Sequence, residues 1–128
     1  MTTYRRLKFI FALLALCCAS TAQAYYTTKS VTHYQYSAFS TADEASVDLY
    51  DGGKKVGIAV FLPKAAGQLP KASISTSGLI RIYYPIERLG DVVDLIRNES
   101  PVVVRYWHGT APNSHIGVRY AEPVGEAE

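Results

Sequence analysis

Residues 79–108 read LIRIYYPIERLGDVVDLIRNESPVVVRYWH, and three patterns follow one another along them. Leu79 to Tyr84 alternates, with Ile80, Ile82 and Tyr84 on one side and Leu79, Arg81 and Tyr83 on the other. That is the period of a half-buried strand. Pro85 suits the first turn of a helix, where its missing N–H leaves nothing unpaired. Ile86, Leu89, Val93 and Ile96 then recur at helical spacing. Gly90 weakens the middle of this segment, so a start at Asp91, with Asp91 as cap, is a second option for the helix. Asn98 to Pro101 ends it, and Val102 to His108 is the strongest strand signal in the chain.

Working outward, the segments on both sides read as further strands. Tyr25 to Phe39 is rich in Tyr, Thr and Val, which suit a pleated surface. Ser46 to Tyr50 and Lys55 to Leu62 flank Asp51-Gly52-Gly53, a hairpin signature because the glycines accept positive φ. In the second arm Val56, Ile58, Val60 and Leu62 alternate with Lys55, Gly57, Ala59 and Phe61. Two prolines and Gly67 make 63–70 a loop. Ser73 to Thr76 and Leu79 to Tyr84 form a second hairpin around Ser77-Gly78, and His115 to Ala121 is the last strand. The expected class is mainly β with one helix (α+β), in about five strands, a helix and two strands. A helix placed once before the last two strands resembles the order of the oligonucleotide/oligosaccharide-binding (OB) fold. That resemblance implies a small antiparallel barrel plugged by the helix, and nothing firm about a ligand. A two-layer sandwich with the helix on an antiparallel sheet is the competing architecture.

The chain has 128 residues, enough for one domain. Residues 1–24 have the three parts of a secretory signal peptide: the cations Arg5, Arg6 and Lys8, the apolar run Phe9 to Cys18, and Ala22-Gln23-Ala24 before the cleavage point at Tyr25. Ten apolar residues are too few to span a bilayer, which needs about 20. The expected division is a leader 1–24, a β-rich domain 25–122 and an acidic tail 123–128. Export implies the periplasm or the medium. Both cysteines, Cys17 and Cys18, lie in the leader, so the mature chain should carry no disulfide, thiol nucleophile or Cys-based zinc site.

Charge points the same way. Three of the 13 basic residues belong to the leader, whereas all 11 acidic residues lie at or after Asp43. The mature chain therefore carries one more negative than positive charge, which disfavours nucleic acid as a partner. No Gly-x-Ser-x-Gly elbow, HExxH or phosphate-binding glycine loop occurs. His108 and His115 flank the last turn, where a hairpin would bring two imidazoles near one metal, but no third ligand has a definite spacing. No cofactor is expected, and a hydrolase with an unrecognised site is a remaining alternative.

One constellation carries a functional expectation. With Ile80/Ile82/Tyr84, Val102/Val104/Tyr106 and Ile116/Val118/Tyr120 pointing inward, Arg81, Tyr83, Arg105, Trp107 and Arg119 point outward. If those strands are neighbours, the five residues form a basic-aromatic patch suited to a protein partner or to an anionic or sugar polymer. The competing expectation is structural: arginines pairing across strands with Asp or Glu, and Trp107 lying under the helix. Tyr26, Tyr34 and Tyr36 share one parity and would extend an aromatic surface.

Overall fold

A computed structural model of the chain describes residues 25–119. The expected leader with Cys17 and Cys18, the inward placement of Tyr120, the end of the last strand and the acidic tail lie outside the described residues. Among the described residues, eight strands and one α-helix follow in order. They are β1 (Tyr26–Val31), β2 (His33–Ala38), β3 (Ala45–Asp51), β4 (Lys54–Leu62), β5 (Ser73–Ile74), β6 (Ile80–Pro85), α1 (Leu89–Asn98), β7 (Val102–Trp107) and β8 (His115–Val118). The α+β class is as the sequence indicates, with the helix before the last two strands.

The strands form two sheets rather than a closed barrel. One is three-stranded in the order β1-β7-β8, the other five-stranded in the order β2-β3-β4-β6-β5. Closure fails for a definite reason. β6 occupies the second edge of β4, in parallel, with Gly57 opposite Ile80 and Phe61 opposite Tyr84. The four-residue β8 is left with β7 as its one partner. At this seam a side chain replaces the missing ladder, because the Ile116 N–H donates to the Tyr84 hydroxyl at 3.2 Å.

The expected long first strand is divided at Thr32. Up to Val31 it pairs with β7, and from His33 it pairs with β3. Thr32 donates its N–H to Tyr50 O at 2.7 Å while His33 stands opposite Tyr50, so two residues face one, as in a β-bulge. The Thr32 hydroxyl accepts from Gly52 N at 2.6 Å and ties this corner to the hairpin turn. Gly52 takes φ +61° there and Gly78 takes φ +86° in the second hairpin, as the turn signals indicate.

Both sheets face one core. Leu49, Val47, Ala59, Phe61, Ile80 and Ile82 from the five-stranded sheet meet Val31, Val102, Val104 and Ile116 from the other. In β4 both parities are apolar, and the core takes the smaller-residue side, Gly57 and Ala59 with Phe61. Ile58, Val60 and Leu62 remain half-buried on the opposite face. β4 and β6 leave little room at Gly57, since a Cβ there would lie 3.1 Å from Ile80 O of the neighbouring strand.

The helix begins earlier than the Asp91 option. A 3-10 turn over Ile86–Arg88 follows Pro85 and runs directly into α1, with Gly90 inside it and Asp91 paired to Arg88 at 3.5 Å rather than capping. Ile86, Leu89, Val93 and Ile96 pack on the core, but the most buried helical residue is Val92. Among the described residues no helix is long and apolar enough to cross a membrane.

Candidate binding face

Cross-strand register decides which outward side chains meet. In the three-stranded sheet Tyr26 stands opposite Trp107, Thr28 opposite Arg105, and Arg105 opposite His115. The face turned away from the core therefore holds Tyr26, Arg105, Trp107, His115 and Arg119 together. Trp107 leans on Tyr26 with ring centroids 4.6 Å apart, and His115 meets the same tyrosine edge-on at 5.6 Å.

Arg105 crosses β8 instead of reaching for a carboxylate. Its guanidinium donates to the carbonyls of Val118 and Arg119, both at 3.4 Å, and lies 3.3 Å from His115 Nε2. A guanidinium only donates, so His115 Nε2 accepts. Its Nδ1 then carries the hydrogen and donates to Asn113 O at 2.7 Å, which fixes the neutral tautomer. Gly117 makes this layer fit, because a Cβ there would come within 3.3 Å of the His115 ring and 3.8 Å of the guanidinium. Arg119 donates to Ser30 Oγ at 2.6 Å.

The charge on this face has no carboxylate counterpart among the described residues. Among the described residues the salt bridges are Lys55–Asp48 at 3.2 Å and Arg88–Asp91, and neither touches Arg105 or Arg119. The cross-strand neighbours of Arg105 are Thr28 and His115, so among the described residues it forms no cross-strand ion pair. The Trp107 indole N–H is also buried, without an acceptor among the described residues. A buried donor left unpaired costs about 1–3 kcal/mol. Trp107 packs against Tyr26 and lies outside the core cluster on which the helix rests.

The five residues expected as one patch are thus divided. Arg105, Trp107 and Arg119 share a face, whereas Arg81 and Tyr83 belong to β6 in the other sheet. There Arg81 stands beside Ile58 and Ser73, and Tyr83 beside Val60, again turned away from the core. The strands are not neighbours, because β6 pairs with β4 and β5 and not with β7. The shared parity of Tyr26, Tyr34 and Tyr36 likewise ends at the Thr32 bulge. Tyr26 joins the outer face of the three-stranded sheet, while Tyr34 and Tyr36 stand opposite Leu49 and Val47 in the five-stranded one.

His108 and His115 do not converge. The His108 ring stacks on Tyr25 at 4.3 Å and its Nε2 lies 2.6 Å from Thr27 Oγ1, whereas His115 faces Arg105 and Tyr26. Among the described residues no group of three or more His, Cys, Asp or Glu side chains is placed to hold a metal. Two members of the face, Tyr26 and His115, escape sequence reasoning as partners of Trp107. Alternation along β8 puts His115 outward, but nothing in the sequence signals the β1–β7 register. No family model, curated protein or solved structure matches this chain.

Proposed function

We propose that the protein is an exported, non-catalytic binding module that holds a protein partner against the outer face of its three-stranded sheet. The observation that carries this reading is the donor-rich character of that face. Arg105, Arg119 and Trp107 share this face with Tyr26, and neither arginine makes a salt bridge to a carboxylate among the described residues. Tyr, Trp and Arg are the side chains most often found at the centre of energetically important contacts. The complementary partner presents carboxylates or carbonyls next to an apolar or aromatic surface. An anionic or sugar polymer has the same complementarity and is the second reading, supported by two guanidinium charges that make no salt bridge among the described residues.

Capture from envelope extract by the wild-type protein and by an Arg119→Glu/Tyr26→Ala double variant tests both. Both positions are exposed, so the fold should tolerate the changes. The expected result is one protein retained in stoichiometric amount by the wild type, lost in the variant and little affected by salt. Retention by both forms overturns the reading. Binding that collapses with salt and is competed by an acidic glycan selects the polymer instead.

A further inference from the structure

We propose that the β2 edge is a self-association surface on which a second copy of this chain pairs antiparallel, with Tyr36 meeting Tyr36 of the other copy at the two-fold axis. This inference does not rest on the proposed function, since it uses a different edge of the molecule. It starts from exposure. The large apolar side chains left exposed among the described residues are Tyr25, Tyr26, Tyr34, Tyr36 and Phe39, and the last three belong to β2 and the residue after it. Tyr36 is 48% and Phe39 53% exposed.

An open strand edge invites another strand, and proteins protect such edges with brevity, charge, proline or covering side chains. The other edges here are protected. β5 has two residues. β1 carries Lys29. β8 has four residues and two of its outward groups occupied, the Ile116 N–H by the Tyr84 hydroxyl and the Val118 carbonyl by Arg105. β2 has six residues, none of them proline, and no Asp, Glu, Lys or Arg occurs between Lys29 and Asp43.

The ladder with β3 fixes which groups are free. Phe39 N donates to Glu44 O, so the odd-numbered residues of β2 bond to β3 and the backbone groups of Tyr34, Tyr36 and Ala38 point outward. An antiparallel two-fold centred on Tyr36 uses all three. Tyr36 faces its own copy, and each Tyr34 faces the Ala38 of the other chain, for about six backbone hydrogen bonds. Side chains fit the same register. On one face a small Ala38 stands opposite each Tyr34 and the two Tyr36 rings meet at the axis, while His33 meets Phe39 and Gln35 meets Ser37 on the other. No like charges are brought together, and the two five-stranded sheets become one continuous sheet. A mismatched partner strand would lack this large-against-small pairing, which is why a second copy is the occupant the sequence fits.

Sedimentation equilibrium of the purified protein, expressed from the full chain, tests the inference together with three variants. The wild type is expected as a dimer that dissociates on dilution. Tyr36→Lys, which places two ammonium groups at the axis, is expected as a monomer with an unchanged circular dichroism spectrum. In a background with Cys17 and Cys18 changed to Ser, Tyr36→Cys should cross-link two copies under mild oxidation. Hydrogen-bonded partners in an antiparallel pair have Cα atoms about 5.5 Å apart, within disulfide reach. Tyr34→Cys should not cross-link, because its two copies are offset by four residues, about 13 Å. A wild-type monomer at all concentrations overturns the proposal, as does a dimer in which Tyr36→Cys fails to cross-link. If Tyr36→Lys does not fold, the cysteine pair alone decides.

Discussion

Tyr84 joins the two sheets at the point where a barrel would have closed. Its ring stacks on Phe61 at 5.4 Å and its hydroxyl accepts from Ile116 N. Burial raises its pKa above the usual tyrosine value, against the smaller lowering effects of the Ile116 hydrogen bond and the Arg88 charge. The consequence for stability has a definite sign. Below about pH 10 the phenol is neutral in both folded and unfolded chains, and its contribution is complete. As pH rises further the unfolded chain releases this proton first, so stability falls until the folded pKa is passed. Tyr84→Phe removes the acceptor from Ile116 and should cost about 1 kcal/mol near neutrality. Urea unfolding at a series of alkaline pH values should show that difference shrinking, because only the wild type loses stability through Tyr84. A constant difference across the alkaline range would mean that Tyr84 is no more buried than an ordinary surface tyrosine.

The pairing of β4 with β6 shows how an element takes its place from one small residue. Gly57 lies under Ile80 O and Leu49 Cδ1, at 3.1 and 3.3 Å from where a Cβ would stand, with Val104 of the facing sheet at 3.5 Å. The nearest atom is backbone and cannot swing aside. Gly57→Ala should therefore destabilise by about 1–3 kcal/mol, the usual cost of overpacking. Gly90 in α1 is the counterpart, with open space around it. Gly90→Ala should stabilise by about 0.5–1 kcal/mol through helix propensity and lost freedom of the unfolded chain. Denaturant titrations of the two variants should move in opposite directions. Legibility differs in the same way between elements. The inward sets Ile80/Ile82/Tyr84 and Val102/Val104/Tyr106 could be read because arginine marks the opposite side of each strand. β4 could not be read, because both of its sides are apolar and no polar residue marks the outer one.

At the scale of the whole molecule, the proposed export makes a demand on the core. A mature chain without cysteines would depend on its hydrophobic interior, and the core assembled here is continuous across both sheets. If the leader is removed where its small residues allow, the purified mature protein should begin at Tyr25, which N-terminal sequencing of the secreted or periplasmic fraction checks. A chain retained in the cytoplasm with Met1 intact would remove export from the proposal. Tyr25 belongs to the described fold, since its carbonyl accepts from His108 N and its ring stacks on His108. Cleavage there leaves β1 whole.

The sequence by itself determined the strand-rich class, the single helix with its apolar stripe, both glycine turns and the outward orientation of Arg81, Arg105, Trp107 and Arg119. These follow from local periodicity and local backbone preferences, which act over a few residues. Only the tertiary structure decided the two-sheet arrangement, the parallel β4–β6 pair and the division of the expected patch. It also supplied Tyr26 and His115 to the face around Trp107. Those features depend on which strands meet and in what register. Such pairings are settled by packing between residues as far apart as Tyr26 and Trp107, and by the bulge at Thr32 that hands one strand to two sheets.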